Sequence, residues 1–270
     1  MPFSDQGEAT IFYTDEGSGP PVLLVHGWTC DSHDWQFQLP ALLAAGYRVI
    51  AADLRGHGRS SVPASGYTAR GFAADLAGLL RERNAAPAVV AGHSLGGAIA
   101  VAMAVEHPEL VRAIVPVDSA FGMDPASIVP FRDTLLPALG GPGGHDAALA
   151  MFDGFYTPAT PMNLSAWHRR RMQGMPLHVL QGVIAGLVDV PDQFSLLPQS
   201  EAYLAGASCP ALSFRAGRQD PVSVAQWERG CFLHPASRAV GWEGTGHWLH
   251  QERPAEFNAI LLEWLAALPA

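Results

Sequence analysis

The sequence predicts an α/β protein with a mostly parallel central sheet, helices on both faces, and a helical segment inserted over one end. Three observations carry this. Short apolar runs bounded by Gly, Pro or Asp alternate with stretches of helical periodicity. That alternation stops at about Phe121 and resumes after Ser200. Finally, 270 residues that are 49% hydrophobic and only 15% charged can bury a large core, which excludes a disordered or fibrous chain.

In order along the chain, Ala9 to Thr14 and Pro21 to His26 read as strands. The Asp15-Glu-Gly-Ser-Gly-Pro20 link between them suggests an antiparallel hairpin at a sheet edge. Tyr47 to Asp53, Ala88 to His93 and Val111 to Asp118 follow as strands, separated by helical patterns over Trp35 to Ala45, Thr68 to Arg83 and Leu95 to Glu106. Strands at Ala211 to Ala216 and Ala239 to Trp242 flank a helix near Val222 to Cys231. A last helix runs from Pro254 to Leu268, with proline in its first turn. Strands alternating with helices imply parallel pairing. The middle segment holds seven prolines between Pro125 and Pro176 and the run Gly140-Gly-Pro-Gly-Gly144, so it breaks into short helices. Its aromatic residues exceed what a connector needs to cover itself, which suits a cap. The expected division is a core domain of residues 1–120 and 201–270 with a helical cap of residues 121–200.

Composition excludes several chemistries. The 16 basic residues are all Arg and none is Lys, so a Schiff base through lysine is impossible. A net charge of -9 argues against nucleic acid as a partner, and the run Arg169 to Arg171 reads as a solvated helix face. No basic start precedes an apolar stretch of signal-peptide length, and the most apolar span, Ala86 to Val105, is broken by His93, Ser94 and three glycines. A cytoplasmic protein without membrane association is therefore expected. Three scattered cysteines suggest reduced thiols, and scattered histidines give no metal-ligand spacing. No cofactor and no metal are expected. Arg in place of Lys and abundant Ala suit a GC-rich bacterial genome.

Gly92-His-Ser-Leu-Gly96 is a Gly-x-Ser-x-Gly motif between a strand and a helix, the context of a nucleophile elbow. A sharp turn there strains the serine and is tolerable only where neighbours two positions away lack side chains. Ser94 is the expected nucleophile. His247, in the glycine-flanked loop after the last strand, is the expected base. Asp220, after the strand that ends near Ala216, is the expected acid, with Asp118 as its rival. The amides of Leu95 and Trp28 are the expected oxyanion donors. Trp28, Phe121, Met123, Phe152, Phe155, Trp167 and Trp248 are candidates to line an apolar pocket.

Taken together, His26-Gly-Trp28, Asp53-Leu-Arg-Gly-His-Gly-Arg-Ser60, Gly92-His-Ser-Leu-Gly-Gly97, Gly217-Arg-Gln-Asp220 and Gly246-His247 resemble the α/β-hydrolase superfamily, in order and across nearly the whole chain. The resemblance implies the α/β-hydrolase fold and a Ser–Asp–His triad. It says far less about substrate, since one fold hosts many chemistries. Epoxide hydrolases and haloalkane dehalogenases of this superfamily carry aspartate at the elbow, where this chain has Ser94. Plant-type hydroxynitrile lyases rely on a lysine, and this chain has none; the cofactor-free dioxygenases stay open.

The leading expectation is a serine hydrolase that cleaves a small apolar or aromatic ester or lactone through an acyl-enzyme, as a monomer or homodimer. Its activity should fall at acid pH as His247 protonates, with a midpoint near ~6.5. C–C bond hydrolysis, perhydrolase or haloperoxidase-like activity and amide hydrolysis use the same triad. A ligand receptor on this fold is the non-enzymatic alternative.

Overall fold

The computed structural model describes residues 2–217 and 220–268. Its strands are β1 (Phe3–Asp5), β2 (Thr10–Glu16), β3 (Pro21–Val25), β4 (Arg48–Ala52), β5 (Ala88–His93), β6 (Val111–Val117), β7 (Leu212–Gly217) and β8 (Arg238–Glu243). They form one eight-stranded sheet in the order β1-β2-β4-β3-β5-β6-β7-β8. From β4 to β8 the pairing is parallel, and β2 joins β4 antiparallel.

The core helices are α1 (Gln38–Ala44), α2 (Ala69–Glu82) and α3 (Leu95–Glu106). Between β6 and β7 the chain forms α4 (Leu136–Gly140), α5 (Gly144–Asp153), α6 (Met162–Gln173), α7 (Leu177–Val188) and α8 (Gln199–Ala205). After β7 come α9 (Pro221–Cys231), α10 (Leu249–Glu252) and α11 (Pro254–Ala267). Alternate residues of each strand feed two cores. Leu23 and Val25 of β3 join α2 and α3 on one face, whereas Val22 and Leu24 join Trp264 and Phe257 of α11 on the other.

The expected hairpin of Ala9 to Thr14 with Pro21 to His26 does not form. Both edges of β3 are taken by parallel partners β4 and β5, so β2 pairs outward with β4 and with β1 instead. The expected helix from Trp35 splits, because a 3₁₀ turn at Ser32–Trp35, capped by the Asp31 side chain, precedes α1.

The inserted helices are tied to the core by polar contacts. The segments leading into and out of them meet in an isolated bridge between Met123 and Leu196. Arg171 of α6 forms ion pairs with Asp31 (2.7 Å) and with Asp34. The solvated face expected for Arg169 to Arg171 is thus incorrect for Arg171, whose side chain is only 15% exposed. Thr160 donates to Glu252 (2.6 Å), whose other oxygen accepts the Gly246 N–H (2.8 Å). Among the described residues, no helix is long and apolar enough to cross a membrane.

Candidate active site

The site lies where the carboxyl ends of the parallel strands meet the inserted helices. β5 ends at His93, α3 starts at Leu95, and Ser94 between them adopts φ 53° and ψ -113°. A non-glycine residue with positive φ stores strain that the surroundings must hold. Here Gly92 and Gly96 hold it: a Cβ on Gly92 would overlap the Gly96 carbonyl, and one on Gly96 would overlap the Val25 carbonyl. The Ser94 side chain makes no capping hydrogen bond to α3, so it is not an ordinary helix cap. Its backbone N–H donates to the Val117 carbonyl (2.8 Å), locking the turn against β6.

Gly27 approaches the elbow closely. A Cβ there would sit 3.3 Å from the Ser94 Cβ and 2.9 Å from His93 Nδ1. The loop that carries Trp28 is therefore held beside Ser94, and Leu95 begins the helix whose N-terminus favours negative charge. The loop is braced from behind. His26 donates from Nδ1 to the Gly27 carbonyl (2.8 Å), while its Nε2 accepts the Leu54 N–H (3.0 Å). Asp53, fully buried, accepts from the Ser32 N–H (2.8 Å) and from the Arg59 N–H (2.9 Å). The Asp53 to Ser60 motif thus fastens the loop that carries Trp28 to the core, a role its sequence did not reveal.

His247 follows β8, and its Nδ1 donates to Asp118 Oδ2 at 2.5 Å. This corrects the expected acid. Asp118 directly follows β6 and turns at φ 48°, with its Oδ1 accepting the Ala216 N–H at 3.0 Å. Burial pushes the Asp118 carboxyl up, but the His247 hydrogen bond, the nearby His247 and Arg215 charges and the Ala216 amide outweigh it and hold it below the usual carboxylate range. Asp220 is exposed and caps α9, accepting from the Ser223 N–H (3.0 Å) and hydroxyl (2.5 Å). A side chain spent on its own helix terminus does not reach the histidine. Arg218 and Gln219 of the same motif lie outside the described residues.

The aromatic candidates separate. Phe155 stacks on the His247 ring (4.7 Å, 29°), and its carbonyl accepts the His247 N–H (3.1 Å). Phe152 lies between Trp28 (5.7 Å), Phe155 (5.6 Å) and Trp248 (5.2 Å). Trp248 is buried behind this wall, stacked on His168 at 4.0 Å. Phe121 is buried with its ring 6.0 Å from the Arg215 guanidinium, and Met123 forms an isolated bridge with Leu196. Trp167 does not join them. It is 47% exposed and packs outside against His33 and Arg170, because α6 turns His168 and Met172 inward. Among the described residues, no group of three or more His, Cys, Asp or Glu could hold a metal ion.

The alpha/beta hydrolase family model matches residues 22–260, and the chain belongs to that family. It is 33% identical to epoxide hydrolase A of Mycobacterium tuberculosis, over 94% of this chain and 92% of that one. An esterase from Thermogutta terrifontis superposes with a TM-score of 0.83 at 26% identity, covering 98% and 96% of the two chains. An enol-lactonase from Burkholderia xenovorans LB400 reaches 0.83 at 21% identity over 98% and 100%, a likeness of fold alone.

Proposed function

We propose that the protein is a serine hydrolase acting on a carboxylic ester or lactone with an apolar or aromatic group, by way of an acyl-enzyme. The observation that carries this reading is the hydrogen-bonded Asp118–His247 pair at the same sheet edge as a strained, uncapped Ser94. With Nδ1–H committed to Asp118, the Nε2 of His247 is the nitrogen left to take a proton. His247 removes the Ser94 proton as Oγ attacks the carbonyl carbon. The Leu95 and Trp28 amides stabilise the oxyanion, and the imidazolium returns its proton to the leaving alcohol. Water then repeats the sequence and frees the acid. Asp118, kept ionised, stabilises the imidazolium in both halves.

Phe155 stacks on His247 and continues through Phe152 to Trp28, an apolar row beside the base that favours an uncharged, apolar acyl or alcohol group. Serine at the elbow favours ester chemistry over epoxide opening by a carboxylate nucleophile. The test is a burst assay on p-nitrophenyl esters and simple lactones with the wild type beside Ser94→Ala. Ser94-dependent release of one equivalent of nitrophenol before steady turnover is the expected result. Equal inertness of both proteins toward every ester and lactone would overturn the reading.

A further inference from the structure

Behind the Asp118–His247 pair runs a line of buried polar groups that the mechanism above does not use. Ser213 and Arg215 are two apart on β7 and so share one face of the sheet. Both engage Glu228 of α9: the Ser213 hydroxyl donates to its Oε2 at 2.6 Å, and Arg215 Nη2 donates to its Oε1. From its other nitrogen, Arg215 Nη1 donates to the Ser119 carbonyl and stands 3.9 Å from Asp118 Oδ1. Arg215 and Glu228 are 8% and 1% exposed. The sequence order 118, 213, 215, 228, 247 conceals a spatial row: His247, Asp118, Arg215, Glu228, Ser213.

Taking a guanidinium and a carboxylate out of water is costly, and an apolar pair of like volume is often at least as stable. Fold stability alone is therefore a poor reason for these two residues at this place. We propose that the Arg215–Glu228 pair sets the electric field on the Asp118–His247 couple, with Arg215 a positioning residue that acts through Asp118. Arg215 does so in two ways. Its bond to Ser119 steadies the turn in which Asp118 takes its positive φ. Its charge opposes both protonation of Asp118 and formation of the His247 imidazolium, while Glu228, one step further back, offsets part of that charge.

Among the described residues, the titratable groups that face the couple include His93 from β5, whose ring lies 4.5 Å from that of His247, His250 from α10 and His168 from α6. Burial pushes all three down, His250 to about 3, His168 to about 4 and His93 well below its usual value, which favours their neutral forms. Burial pushes the Glu228 carboxyl up, against the pull of Arg215 and Ser213.

The inference rests on the triad reading for its catalytic meaning, but its test does not depend on knowing a substrate. The His247 imidazole of the full chain is titrated by ¹H–¹⁵N NMR, with the signal assigned by its loss in His247→Gln. Arg215→Met should raise the midpoint by about one pH unit, and Glu228→Gln should lower it. The double variant Arg215→Met/Glu228→Gln should fall between the two, and Arg215→Lys should restore most of the wild-type value. If Arg215→Met does not fold by circular dichroism, Glu228→Gln and Arg215→Lys carry the test. Unchanged midpoints, or shifts of the same sign in both single variants, would overturn the proposal. If hydrolysis is found, the acid limb of kcat/KM should move with these midpoints. Opposite shifts in a protein inert to every ester and lactone would sink the triad reading and leave this one standing.

Discussion

At the scale of single residues, the choice between two aspartates decides which carboxylate holds the His247 ring. Asp118 and Asp220 both follow parallel strands that end at the same sheet edge, yet only Asp118 meets His247. Asp118→Asn is an informative variant because asparagine tolerates the left-handed turn that Asp118 occupies. The backbone should survive while the charge and the favoured tautomer are lost. Hydrolysis by Asp118→Asn should drop about 10³- to 10⁴-fold with little change in KM. Asp220→Asn should keep kcat/KM within about threefold, since its carboxyl is engaged with Ser223 at the start of α9 and not with His247. Steady-state kinetics on the best ester found would decide, and loss of activity in Asp220→Asn alone would reverse the assignment.

At the scale of elements, the elbow exists because β5, α3 and the loop after β3 pack closer than side chains allow. Gly96 lies against the Val25 carbonyl and Gly92 against the Gly96 carbonyl, both backbone atoms that cannot swing aside. Gly96→Ala should cost about 3 kcal/mol or more and reduce soluble expression, because relief requires moving β3 or α3. Gly143→Ala is the control, for nothing lies within 4 Å of its Cβ position and its φ is -92°. It should melt within a degree or two of the wild type. A Gly96→Ala protein melting with the control would mean that the elbow is far softer than these contacts imply.

At the scale of the whole molecule, the fold buries several histidine rings, His57 and His250 within the core and His168 on the inner face of α6. Burial pushes His57 and His250 down to about 3 and His168 to about 4. In the unfolded chain the same rings titrate near ~6.5, so below that pH the unfolded state binds more protons and the folded state loses ground. Stability is thus whole above about pH 6.5 and is lost as pH falls toward 4. Each such ring costs about 2 kcal/mol by pH 5. Thermal melts at pH 7.5, 6.0 and 5.0 should show a steep fall in Tm, and His250→Gln should flatten it. A Tm constant from pH 7.5 to 5.0 would contradict the burial of these rings in neutral form. The same dependence bounds the kinetic experiments, since an acid limb counts as catalytic only where the fold is intact.

Much of this was legible in the sequence because local rules and the tertiary fold agree. The elbow serine, its glycines, β5 and α3 were readable to the residue, since steric demands at a sharp turn leave few alternatives. The inserted segment announced itself by proline spacing, and the alternation of strands and helices implied the parallel sheet. What the sequence could not decide is what depends on contacts between distant segments. Whether Asp118 or Asp220 orients His247 turns on how β6, β7 and β8 lie side by side and on the grip of Arg215 at Ser119. The burial of Arg171 depends on Asp31 and Asp34, some 140 residues earlier in the chain, while Trp167 points outward only because of how α6 is rotated. Turn sterics act over a few residues and are written locally. Charge pairing and side-chain orientation act through space, so only the packed structure chose among the carboxylates and aromatics that the sequence offered.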